Sequence, residues 1–133
     1  MNGAQKLHEI RTNEEASNMT LSTTDIDSIL SRIINSLKNY IDSSLKKVIL
    51  YGSYARGDYE DYSDVDIMVL VDSVDLNSMY HYTSQETSDL GLQYLVMISC
   101  KFQDITHFYN KISSNSFYRN IEMEGVVYYC DTK

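Results

Sequence analysis

KVILYGSYARGDYEDYSDVDIMVLVD, residues 47–72, reads as strand, glycine turn, short helix, acidic loop and second strand. Val48, Ile49, Leu50 and Tyr51 form an apolar run that stops at Gly52-Ser53. A run of that length ending in glycine is a buried strand feeding a turn. Asp64-Val65-Asp66 opens a second apolar run over residues 67–71. Side chains alternate along a strand, so Asp64 and Asp66 point to one side, about 7 Å apart along it. Two carboxylates on one face of an apolar strand are costly to desolvate unless a cation sits between them. Mg²⁺ takes oxygen ligands of this kind and keeps positions open for substrate phosphates. Gly52 has no side chain to hold a phosphate off the backbone. Ser53 adds a hydroxyl and starts a short helix whose first N–H groups point at an anion. Arg56 brings a positive charge to the same place.

Ten residues separate Ser53 from Asp64, enough to make one helical turn and enter a neighbouring strand. This spacing resembles the Gly-Ser, ten-residue gap, Asp-x-Asp signature of the nucleotidyltransferase superfamily, with its DNA polymerase β-like fold. The flanking residues Tyr54-Ala55-Arg56-Gly57-Asp58 and Ser63 resemble its small stand-alone branch, the minimal nucleotidyltransferases (MNT). The ends of that branch are also similar to Phe117–Glu122 and Glu124-Gly125-Val126 here, a weaker match. Generic turn chemistry does not ask for the whole central string.

The resemblance implies an α/β (α+β) fold, a small mixed sheet of three to four strands flanked by helices. Residues 21–133 are expected to form that domain, with 1–20 as a mobile tail. It implies a nucleoside triphosphate, ATP, held by Gly52, Ser53 and Arg56. It implies Mg²⁺ or Mn²⁺ on Asp64 and Asp66, with Asp64, Asp66 and Ser53 as the catalytic set. It also implies a third carboxylate on the strand beside Asp-x-Asp. That strand is expected at Leu92–Cys100, which holds no Asp or Glu; Met97 or Ser99 stands where the acid belongs. Asp104, just beyond, is the substitute candidate, although helix N-capping explains it more simply.

The chain is too short for a separate acceptor-binding domain, so the acceptor is expected on another protein. The resemblance names a helical HEPN partner, a ribonuclease toxin, with this chain as the antitoxin that transfers AMP to a hydroxyl on it. Two readings stand beside this one. A weak or inactive nucleotidyltransferase fold would neutralise its partner by contact alone. Transfer to a small molecule, such as an aminoglycoside antibiotic, would need a second domain or a homodimer cleft.

Composition narrows the classes. The 133 residues are 43% hydrophobic and 23% charged, as in a globular domain. A net charge of −8 argues against non-specific nucleic-acid binding. It is compatible with covering a basic partner face. Two cysteines, Cys100 and Cys130, are too few for a disulfide scaffold, so a reduced cytoplasmic setting is expected. The first 15 residues carry charges and no apolar block, unlike a secretory signal. The longest apolar run is five residues, too short for a membrane span.

Elsewhere, apolar residues from Ile26 to Ile41 recur at helical spacing, predicting a helix capped at Thr23 or Thr24 and running to about Ser43. Val74 to Leu90 reads as a polar helix stopped by Gly91. Asp104 starts a short helix. Ser114 or Asn115 starts the last one, through Glu124, before a short strand over residues 126–129. Asp58, Glu60 and Asp61 read as a solvated acidic loop. Phe117 and Tyr118 read equally as core, partner or substrate contacts.

Overall fold

The computed structural model describes residues 20–131; the expected tail lies, but for Thr20, outside them. Four strands form one mixed sheet: β1 (Leu45–Tyr51), β2 (Val65–Val71), β3 (Ile98–Asp104) and β4 (Val126–Cys130). Their order across the sheet is β3-β2-β1-β4. The β1–β2 and β1–β4 pairs are antiparallel, and β2–β3 is parallel. The helices are α1 (Thr23–Ile41), the single turn α2 (Ser53–Arg56), α3 (Leu76–Tyr94), α4 (Ile105–Lys111) and α5 (Ser116–Glu124). This is the mixed sheet flanked by helices that the sequence predicts.

Both sheet faces are covered, which is why β1 and β2 read as continuous apolar runs. On one face Val48, Leu50, Ile67 and Val69 pack with Ile29, Leu30, Ile33 and Leu37 of α1 and with Met79 and Leu90 of α3. On the other, Ile49, Met68 and Leu70 meet Phe108 of α4 and Ile121 of α5.

The start of α1 differs from expectation. Its cap is Ser22, whose hydroxyl accepts from the Asp25 N–H at 3.1 Å while the Asp25 carboxylate accepts from the Ser22 N–H at 3.1 Å. A reciprocal box needs an acid three residues into the helix, and Asp25 fits only a cap at Ser22.

The third strand also lies elsewhere. Helix α3 continues through Gly91 to Tyr94 and ends where Leu95 turns left-handed at φ 56°. Gly91 is there for close approach: a Cβ on it would stand 2.8 Å from the Val96 carbonyl. The strand therefore begins at Ile98 and runs through Lys101 and Gln103 to Asp104. Lys101 is exposed and Gln103 half-buried at this sheet edge, so the segment lacks the apolar run that marks a central strand.

The caps at Asp104 and Asn115 are as expected. Asp104 accepts from the His107 N–H at 3.0 Å, and Asn115 from the Tyr118 N–H at 3.1 Å. Among the described residues, no helix is long and apolar enough to cross a membrane.

Candidate active site

β1 delivers the chain to Gly52 at φ 78°, a backbone conformation that side chains rarely adopt. The next residues close one helical turn, with the Ala55 and Arg56 N–H groups donating to the Gly52 carbonyl at 3.1 and 3.0 Å. Gly57, also left-handed at φ 86°, ends the turn. Tyr54 anchors it. Its hydroxyl accepts from the Leu21 N–H at 3.0 Å, and its ring stacks on Tyr59 at 4.7 Å.

Antiparallel pairing sets Tyr51 opposite Asp66 and so brings the turn onto the start of β2. A Cβ at Gly52 would overlap the Asp66 Oδ2. Asp64 sits one residue before β2, exposed, while Asp66 is half-buried. Burial pushes the Asp66 carboxyl above its ordinary value, and Asp64 pushes it further; Lys101 and Arg56 pull it back. The loop between turn and strand is closed by Ser63, whose hydroxyl accepts from the Glu60 N–H at 2.8 Å.

Gly52, Ser53, Arg56, Asp64 and Asp66 line one cleft of 390 Å³. Arg56 enters it already paired, with Asp58 at 3.2 Å and with Glu124 at 3.7 Å. Asp104 is absent from it. In the parallel β2–β3 register Asp66 faces Ser99, and Asp104 faces Val71 at the far end of the strand. Five residues of strand place it about 16 Å away along the sheet, where it caps α4. Among the described residues, no group of three or more acids, histidines or cysteines is set to hold a metal ion. On the strand side the cleft offers the carboxylates of Asp64, exposed, and Asp66, whose charge burial makes costly. That suits a hard divalent cation that completes its shell with phosphate oxygens and water.

Residues that the motif does not include form the opposite wall. Phe117, Asn120 and Glu124 of α5 line the same cleft, alongside Tyr51. Their spacing marks one helical face, but nothing local says that this face lies over β1. Gly125 permits that seat, since a Cβ there would overlap the Ile49 side chain. Phe117 meets Tyr51 edge-on at 5.6 Å. Tyr118 turns toward the core: its ring packs on Phe108 at 4.7 Å and its hydroxyl accepts from the Gln103 amide at 3.0 Å.

A wider groove of 690 Å³ runs between Tyr62 and the C-terminal end of α3. It is lined largely by apolar residues such as Leu92, Leu95 and Met97, and its one carboxylate is Asp64, at the junction with the first cleft. The smaller cleft concentrates the charged and donor groups.

Comparison with known proteins gives a consistent result. The family described as "Nucleotidyltransferase domain" matches residues 30–128. "Putative protein adenylyltransferase MJ0604" of Methanocaldococcus jannaschii is 38% identical over 100 residues, covering 75% of this chain and 94% of that protein. A second protein of that organism, "Putative protein adenylyltransferase MJ0141", is 31% identical over 102 residues, covering 77% and 97%. Among solved structures, a mutant of the toxin–antitoxin MntA-HpeT superposes with a TM-score of 0.53 at 21% identity, over 77% of this chain and 73% of the matched chain. A toxin–antitoxin structure with AMP-PNP gives the same values. At that identity the likeness speaks for the fold.

Proposed function

Because the chain belongs to the nucleotidyltransferase domain family, we propose that it transfers AMP from ATP, with Mg²⁺ or Mn²⁺, to a hydroxyl on a partner protein. We place it as the antitoxin of a toxin–antitoxin pair whose toxin is a HEPN-type ribonuclease. The observation that carries the chemistry is the contact of the Gly52 turn with Asp66, beside Asp64, in one cleft. The adenylyltransferase names of the archaeal relatives support AMP as the group transferred. The likeness of fold to MntA-HpeT supports a toxin as the partner.

In this reading the bare backbone of Gly52 and the hydroxyl of Ser53 hold the triphosphate. Arg56 adds charge at its far end. Asp64 and Asp66 hold the divalent cation, which when bound supplies neutralisation of charge on the phosphates. Fixing the α-phosphorus this way lets an acceptor hydroxyl attack in line, forming a new P–O bond as the bond to pyrophosphate breaks.

A second reading has its own observation. Ser99 rather than an acid stands beside Asp66, which would suit a fold that neutralises its partner by contact. One experiment separates the two. The chain is incubated with the product of its adjacent gene, ATP and Mg²⁺, and the partner is weighed by mass spectrometry. A gain of AMP units that is absent with Asp64→Asn supports transfer. Neutralisation at unchanged mass supports contact and overturns the enzyme reading.

A further inference from the structure

We propose that α5 forms the nucleoside subsite of this cleft: Phe117 stacks on the base and the Asn120 amide reads its edge. The inference rests on the nucleotide-binding reading above and adds to it where the nucleoside lies and what selects it.

The order of groups along the cleft is the argument. At one end Arg56 meets Glu124 of α5 at 3.7 Å. At the other, Phe117 of α5 meets Tyr51, which pairs across the sheet with Asp66. Seven residues of helix separate Glu124 from Phe117, about 10 Å along the axis. A triphosphate on the Gly52 turn with its far end toward Arg56 therefore directs its sugar and base past Asp66 to Phe117.

The chemistry at that end fits a base. Phe117 is 42% exposed although it is a large apolar ring, with Tyr51 meeting it at 81° and Tyr118 tilted against it at 6.1 Å. The neighbouring Tyr118 is consumed by the core, so the two aromatic residues have different tasks. Asn120 lies one turn further along the same wall. It is exposed, and its side-chain amide has no hydrogen-bond partner among the described residues. An amide offers a donor and an acceptor side by side, which matches the N6 amino group and N7 of adenine.

The test uses ATP and inorganic tripolyphosphate, each with Mg²⁺, titrated calorimetrically into the whole chain. Phe117→Ala is expected to weaken ATP about tenfold and leave tripolyphosphate unchanged, because stacking is lost and the phosphate grip is not. Asn120→Ala is expected to lower the preference for ATP over UTP about fivefold or more. The chain has no tryptophan, so Phe117→Trp introduces a single indole emitter whose fluorescence ATP should quench and tripolyphosphate should not. That variant keeps an aromatic face and so guards against an alanine variant that merely folds poorly. Wild type binding ATP while Phe117→Ala binds it equally well would overturn the subsite and leave the nucleotide reading standing. If wild type takes up neither ATP nor tripolyphosphate, both fall. Unchanged base preference in Asn120→Ala overturns the role of Asn120.

Discussion

The Cα of Gly52 backs directly onto the Asp66 carboxylate; a Cβ built there would stand 3.3 Å from Asp66 Cγ and overlap Oδ2. Two residues 14 positions apart in the chain thus share one small volume, and no side chain larger than hydrogen fits between them. Gly52→Ala is expected to cost about 1–3 kcal/mol in backbone strain at φ 78°. It should also displace Asp66 and lower AMP transfer about a hundredfold. Urea unfolding and the mass assay measure the two effects; a fully active alanine variant would show that the contact is incidental.

Asp66 connects the site to stability. Its carboxyl lies above the ordinary 3.8, through burial first and Asp64 second. The folded chain therefore holds that proton more tightly than the unfolded chain. Stability is lost as pH rises from the ordinary value through the raised one. Asp66→Asn removes the cost, so without metal the variant should melt higher than wild type at pH 7. The difference should vanish below the ordinary carboxylate value. Lower melting of Asp66→Asn at neutral pH would contradict this.

Glu124 competes with a triphosphate for Arg56. The pair is open to solvent, so its strength is modest. Glu124→Gln should free the guanidinium of one of its two acidic partners, Asp58 remaining, and tighten ATP binding between about 1.5- and 5-fold. Arg56→Ala should weaken it. Calorimetry on both variants checks the opposite signs.

Asp104 is a cap at the far end of β3 from Asp66. Asp104→Ala should lower stability by about 1 kcal/mol and leave Mg²⁺-dependent ATP binding unchanged. A loss of binding in a folded variant would restore it as a candidate third acid.

The core under α4 and α5 supports the cleft from beneath. Phe108 is fully buried among Ile49, Met68, Leu70 and Ile121. Phe108→Ala should cost about 3–5 kcal/mol, read from urea midpoints. The seat of α5 depends on this core, so the loss should also loosen the cleft wall that carries Phe117.

Much of the architecture was legible residue by residue. The glycine turn, the two apolar strands, α1 and the caps at Asp104 and Asn115 rest on neighbours a few positions apart. Short-range sterics and hydrogen bonds suffice to write them in sequence. The span of β3 was not legible, because an edge strand alternates Lys101 and Gln103 with Cys100 and Phe102 and shows no apolar run. Gly91 read as a helix stop, yet what it supplies is room for the Val96 carbonyl.

The sequence by itself determined that a Gly-Ser turn and an Asp-x-Asp strand exist at a fixed separation. Only the tertiary structure decided what faces them. Phe117, Asn120 and Glu124 are an ordinary helical stripe until Ile121 is buried against β1 and Gly125 lets the helix end close on Ile49. That placement comes from burying apolar surface between segments some 70 residues apart, and no local pattern encodes which segment the helix will meet.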